Sequence, residues 1–259
     1  MKFTAILELN GKTATGKRVG TAVGKRVLKT RVGQRMARGQ LQFNFTDKAR
    51  SDAERRTALF ALMVVDVDSG KLDKALEDVD KQYALGEKTN DVAGMTGDLQ
   101  FKGNILLEMG KADEAKAAFE RLVKMTDDSS LSQEIKDNTK LFHHYNLTRV
   151  ALAKKDLATA KTEAEAFRKG TESLKNPLQT KQVHELLGMI SLEAKDYDAA
   201  TSELQQSNLQ NPSDLYRLCE AYQGKGDAAK AKEFCNKAAT FNSLPALNLA
   251  FVRAKAAKA

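Results

Sequence analysis

Alanine recurs along the chain at the end of five short polar turns. The five residues are Ala75, Ala115, Ala160, Ala200 and Ala231, and successive alanines are 40, 45, 40 and 31 residues apart. Mostly apolar or bulky side chains recur about eight residues before each turn, three residues earlier again, and four residues after each alanine. The first set is Leu62, Lys102, Leu147, Leu187 and Leu218; the second is Leu59, Leu99, His144, His184 and Leu215; the third is Val79, Phe119, Ala164, Leu204 and Cys235. Side chains three or four residues apart share one helix face, so the pattern predicts a helix on both sides of every turn.

Each turn is predicted to join two antiparallel helices, helix A before it and helix B after it. The alanine marks the crossing of the two helices, because a small side chain lets their backbones approach closely. Asp156, Asp196 and Asp227 stand where a carboxylate caps the start of helix B. No single hairpin buries its apolar face alone, so neighbouring hairpins are expected to stack. The predicted fold is all-α, an α-solenoid of about five hairpins.

Two stretches carry a more specific resemblance. They are Leu187-Gly188…Tyr197…Ala200…Leu204…Pro212 and Gly103…Gly110…Ala115…Phe119. This pattern resembles the tetratricopeptide repeat (TPR) family over about residues 40–259. Within bacterial members, the stretch from Ala53 to Ala259 is similar to the C-terminal part of a longer array. Three of the four intervals exceed the family period of roughly 34 residues, and polar Asp66 and Lys102 occupy usually apolar positions. The resemblance therefore predicts the hairpin fold and leaves the superhelical geometry open.

The C-terminal end is predicted to form a capping helix. Ser243 is suited to the N-cap, with Leu244-Pro245 in the first turn. The run from Ala246 to Ala259 finishes in lysine and alanine, the polar-faced end that a solenoid needs.

Positive charge is concentrated in the first forty residues, which hold ten basic residues and one acid, whereas the other 219 hold 32 basic and 33 acidic residues. We therefore divide the chain into a flexible, basic, glycine-rich N-terminal segment, residues 1–40, and a TPR-like domain, residues 41–259. The segment has two interpretations, an unstructured arm or the product of a recombined, frame-shifted or mis-started reading frame. As an arm it would bind the phosphates of nucleic acid. This is the less favoured function, because no aromatic residue is interleaved for base stacking.

Two motifs near the N-terminus suggest other folds. Residues 2–9 alternate like a strand before the turn dipeptide Asn10-Gly11, and residues 1–16 resemble the opening of a small bacterial β-barrel domain of the bacteriocin-protection type. The stretch from Gly11 to Arg18 is similar to a P-loop. Arg18, however, stands where a serine or threonine must hold Mg²⁺, so nucleotide hydrolysis is not predicted.

Histidine and cysteine offer weak candidates for chemistry. His144 and His184 occupy equivalent repeat positions, so packing within the hairpin explains them better than a metal, and the adjacent His143 points about 100° away from His144. Cys219 and Cys235 fall on facing positions of the last hairpin. No stretch approaches the ~18 apolar residues of a membrane span, and no signal peptide is recognised, so we expect a cytoplasmic chain. There the two cysteines would be buried apolar groups, with a disulfide as the less favoured alternative.

The resemblance to TPR proteins implies a peptide-binding groove along the inner faces of the A helices. Mapped onto this chain, the groove comprises Gln100, Phe101, Asn104, Tyr145, Asn146, Arg149, Glu185 and Met189. Asn104 and Asn146 correspond to carboxylate-binding asparagines of clamp-type members, but Gln182 and Leu186 replace the required lysine and arginine. The sequence therefore predicts a non-catalytic scaffold for an unidentified peptide or protein partner, with no cofactor, no metal and no membrane contact.

Overall fold

A computed structural model of the chain describes residues 51–172, 174, 176–241 and 247–259. These residues form eleven helices and, within those ranges, no strand. The helices are α1 (Asp52–Asp68), α2 (Leu72–Thr89), α3 (Val92–Glu108), α4 (Ala112–Asp127), α5 (Gln133–Ala153), α6 (Leu157–Glu172), α7 (Pro177–Glu193), α8 (Tyr197–Leu204), α9 (Pro212–Lys225), α10 (Ala228–Ala239) and α11 (Leu247–Ala256). The N-terminal segment, with its strand, barrel-like and P-loop-like motifs, and Ser243 to Pro245 lie outside the described residues.

Five antiparallel hairpins build the array, and every helix from α1 to α11 packs on its neighbour in sequence. Helix A of each hairpin is α1, α3, α5, α7 or α9, and helix B is the helix that follows. The predicted all-α solenoid of five hairpins with a C-terminal helix is confirmed.

The five turns share one backbone conformation. In each turn the residue five positions before the alanine has a left-handed backbone, with φ between 59° and 77°. Glycine fills this position in Gly70, Gly110 and Gly226, and lysine fills it in Lys155 and Lys195. The predicted caps are confirmed, because the carboxylates of Asp156, Asp196 and Asp227 each accept a backbone N–H three residues on.

The alanines lie at the helix crossings, as predicted. Four of them are 0% exposed and Ala231 is 5% exposed. In the second and fourth hairpins the residue four positions after the alanine packs on a glycine of helix A: a methyl group on Gly103 would lie 2.2 Å from the Phe119 ring, and one on Gly188 would lie 2.5 Å from Leu204. Small and large side chains therefore complement each other at the crossing.

Cys219 and Cys235 occupy this same pair of positions in the fifth hairpin, and the structure joins them in a disulfide with their Cα atoms 5.1 Å apart. The prediction of two separate thiols is wrong. The crossing brings the two Cα atoms as close as a disulfide requires, and both side chains are buried.

The last helix also touches the first. α11 packs on α9 and α10 and, in addition, on α1. Leu247 and Ala250 join a core cluster with Met63, Val64 and Val67 of α1. The C-terminal helix thus caps the array and also connects its two ends.

Candidate functional site

A concavity of about 710 Å³ lies on the inner side of the array. Its walls are the A helices α3, α5, α7 and α9, the α8–α9 loop, and α11. The residues 15 and 11 positions before each alanine supply the walls in hairpins two to five; they are Gln100, Asn104, Tyr145, Arg149, Glu185, Met189, Tyr216 and Glu220. One repeat register therefore shapes the whole surface.

A network of amides and one arginine links α3 to α5. The side chains of Gln100 and Asn146 exchange two hydrogen bonds: Gln100 Nε2 donates to Asn146 Oδ1 at 3.1 Å, and Asn146 Nδ2 donates to Gln100 Oε1 at 2.9 Å. Arg149 donates to Asn104 Oδ1 at 2.7 Å. These hydrogen bonds orient the otherwise flexible side chains of Gln100, Asn104 and Arg149 at the wall of the concavity.

Tyr145 forms the aromatic part of the wall. Its ring stacks on Phe142 with centroids 4.7 Å apart, and the Arg149 guanidinium lies 5.6 Å from the ring centroid. Burial raises the pKa of the Tyr145 hydroxyl, so it stays protonated and able to donate a hydrogen bond.

A charged cluster links α7 to α9 at the other side. Arg217 donates to Glu185 Oε1 at 2.6 Å and to Asp214 Oδ1 at 2.7 Å. Burial raises the pKa of Asp214 to about 7, the charge of Glu185 adds to the rise, and Arg217 opposes it. The cluster adds Glu185 and Arg217 to the charged residues that line the concavity.

Six of the eight residues predicted for the groove line the concavity: Gln100, Asn104, Tyr145, Arg149, Glu185 and Met189. Asn146 lies just beneath them and is 2% exposed, since its amide is committed to Gln100. Phe101 lies elsewhere, because its ring packs on Phe60 of α1 at 5.4 Å. Tyr216 and Glu220 were missed, although the same register offsets in the fifth hairpin would have identified them.

The clamp-type positions are already engaged. Asn104 accepts from Arg149, Asn146 pairs with Gln100, and Leu186 is 0% exposed in the core. Of the four, Asn104 and Gln182 line the concavity.

The histidines are bonded within their own hairpins. His144 Nδ1 lies 2.6 Å from Glu163 Oε2, and His184 Nδ1 lies 2.8 Å from Glu203 Oε2, each partner being 19 residues further on. Burial lowers the pKa of the neighbouring His143. Among the described residues, no group of three His, Cys, Asp or Glu side chains is arranged to hold a metal ion.

Residues 99–129 match the family model of the tetratricopeptide repeat. The matched stretch runs from the middle of α3 to just after α4, so it contains one complete turn of the array. The match identifies one tetratricopeptide repeat, and the other four hairpins share its register. The match does not include residues 1–16, so their barrel resemblance has no support from it.

The crystal structure of BtubC (BKLC) from P. vanneervenii is similar to this fold, with a TM-score of 0.50 and 13% sequence identity. The similarity covers 83% of this chain and 89% of that chain, and at this identity it concerns the helical fold alone. No curated protein matches the chain in sequence. In the part of the chain that the structure describes, every helix is too short or too polar to cross a bilayer.

Proposed function

We propose that this tetratricopeptide array is a non-catalytic scaffold that binds an extended segment of a protein or peptide partner in its concavity. A repeat array of this family generally serves protein interaction and is generally not an enzyme.

One observation carries the proposal: a single register of side chains from four consecutive hairpins lines one continuous surface. An extended chain rises about 3.3 Å per residue and packed helices lie about 8–10 Å apart, so a bound segment would pass from one A helix to the next over about three or more residues. Amide groups such as Gln182 both donate and accept, which suits the N–H and C=O groups of a peptide backbone.

Preformed side-chain bonds favour binding on such a surface. Gln100 and Arg149 are held by partners within the protein. Ordering a free side chain on binding costs about 0.5–1.5 kcal/mol, so residues that are already ordered lower the cost of capture. Tyr145 and Met189 add apolar area between the polar groups.

The test is selection of peptides from a random library on the full chain, followed by affinity measurements on variants. We expect Arg149→Ala and Met189→Glu to weaken the selected peptides at least about tenfold, because hot-spot residues near the centre of an interface cost about 2 kcal/mol or more when they are replaced. Lys161→Glu, on the exposed face of α6, is the matched control and should leave the affinity within about twofold.

Equal losses in the Lys161 variant and the concavity variants would contradict the proposal. So would peptides whose affinity is insensitive to both Arg149 and Met189. Circular dichroism melting of each variant, without peptide, separates loss of binding from loss of folding.

A further inference from the structure

The concave face of the first hairpin is covered by the chain's own C-terminal helix. In hairpins two to five, the residues 15 and 11 positions before the alanine line the concavity. In the first hairpin these positions are Phe60 and Val64, and both belong to the core cluster that includes Leu247 and Ala250 of α11. α11 therefore sits on the same continuous face that we propose binds a partner.

α11 also contributes to the rim of the cavity itself. Asn248, Phe251, Val252 and Lys255 line the concavity opposite the A helices. α11 is thus in contact with the surface that a partner would use, at the end of that surface next to the first hairpin.

Lys255 of α11 forms an ion pair with a residue in the wall of the concavity. Its Nζ lies 2.5 Å from Glu108 Oε1 at the end of α3. Burial raises the pKa of Glu220 on α9, and the charges of Arg217 and Lys255 oppose that rise. Lys255 is therefore ion-paired with Glu108 on α3, and its positive charge also favours the ionised form of Glu220 on α9.

α11 is also attached by an ion pair between Arg253 and Asp68 of α1, by a hydrogen bond from Asn248 Nδ2 to Asn211 Oδ1 at 3.2 Å, and by the apolar contacts of Leu247 and Ala250. α11 spans 10 residues. An isolated helix shorter than about 12–15 residues is marginal in water. α11 therefore depends on its seat for its helical structure.

We propose that α11 is a latch, an intramolecular occupant of the binding face. A partner segment displaces it when apolar side chains of the segment take the seat of α11 and a basic residue of the segment replaces Lys255. The basic residue takes the place of Lys255 in the ion pair with Glu108. This inference rests on the proposed function, since it names the chemistry of one partner class for the same concavity and the element that competes with it.

The test uses the full chain and a synthetic peptide with the sequence of residues 247–259, which carries the chemistry of the natural occupant. Because Lys255→Glu in the protein weakens the resident helix, the unchanged peptide should bind this variant about five- to tenfold more tightly than the wild type. The same substitution made in the peptide should abolish the gain. Lys258→Glu, which removes an exposed lysine of the same segment, is the matched control in both molecules and should change nothing.

Hydrogen exchange supplies the second measurement. Lys255→Glu should speed exchange of the amides of residues 247–256 and leave those of α5 and α6 unchanged. If the peptide binds both proteins equally or neither of them, or if exchange of α11 is unchanged, α11 is a permanent end cap and the latch is wrong. If the latch fails this test but peptides selected from the library still bind the concavity of the same protein samples, the proposed function is retained.

Discussion

At the scale of single residues, Lys155 and Lys195 occupy a backbone conformation that glycine adopts at lower cost. Both have φ near 60°, in turns whose equivalents contain glycine. A side chain in this region costs roughly 1–2 kcal/mol per residue. The lysines are tolerated because the turn is fixed by the helices on either side, as the shared conformation of all five turns indicates.

Replacing Lys195 by glycine should therefore stabilise the protein. We expect Lys195→Gly to raise the free energy of unfolding by about 0.5–1 kcal/mol, the strain relieved minus the entropy that glycine loses on folding. Urea unfolding measures it. The same substitution at exposed Lys161, in the interior of α6, should instead destabilise by about 1 kcal/mol. Destabilisation at both positions would show that the turn conformation is not as described.

A second prediction at this scale concerns Asp214, whose pKa burial raises to about 7. The folded protein then holds a proton that the unfolded chain releases above the ordinary pKa of 3.8. The contribution of this group to stability is complete at low pH and is lost as the pH rises towards 7. The Asp214→Asn variant lacks this loss. The free energy of unfolding of the variant minus that of the wild type should therefore be higher at pH 8 than at pH 5, by roughly 1–2 kcal/mol.

Unfolding in urea at the two pH values decides the matter. Asp73→Asn, which changes a carboxylate exposed to water, should show no such difference between pH 5 and pH 8. An Asp214→Asn effect that is equal at both pH values, or larger at pH 5, would contradict the role of burial.

At the scale of helices and hairpins, the crossing of helices A and B depends on the size of one side chain. Gly103 and Gly97 both lie in α3, but a methyl group on Gly103 would lie 2.2 Å from the Phe119 ring, whereas one on Gly97 would meet nothing within 4 Å. We expect Gly103→Ala to destabilise by about 1–3 kcal/mol through overpacking, and Gly97→Ala to stabilise by about 0.5–1 kcal/mol through helix propensity.

Thermal unfolding of the two variants compares the same substitution within one helix. Phe119→Leu should recover part of the loss in Gly103→Ala, because the shorter side chain makes room for the methyl group. Similar effects of the two alanine substitutions would mean that α3 and α4 do not cross at Gly103.

The disulfide makes a prediction for the fifth hairpin. Cys219 and Cys235 are separated by 16 residues, and closing a loop of this size contributes about 3 kcal/mol in the chain-entropy description. The double substitution to serine should lower stability by about that amount. Mass spectrometry of the protein unfolded without reductant and treated with iodoacetamide should find neither cysteine alkylated, and alkylation of both would contradict the bond.

The sequence allowed the hairpins and much of the concavity to be predicted, because one register repeats. Ala115 and Ala200 occupy equivalent surroundings, and so do Gln100 and Glu185, so identifying one repeat locates the others. The orientation of the Phe101 side chain was not predictable. Phe101 lies beside the concave face, and its ring packs on Phe60 of another helix. The positions of Cys219 and Cys235 alone likewise could not decide whether the two residues form a disulfide or remain thiols.

At the scale of the whole molecule, α11 connects the end of the array to its beginning. Arg253 of α11 pairs with Asp68, 185 residues away in sequence. This contact could not be predicted, because it depends on the rotation that accumulates over five hairpins with unequal spacings of 40, 45, 40 and 31 residues. The number of hairpins is a local property of the sequence, whereas closure is a property of the complete superhelix.

The location of binding is the central claim, and site-specific photo-crosslinking tests it most directly. A photo-reactive phenylalanine analogue replaces Gln182, which lines the concavity, or Lys161, which is exposed on α6. A peptide selected on the wild-type chain should crosslink from position 182 and give no product from position 161. Crosslinking from position 161 with none from position 182 would contradict a binding site in the concavity.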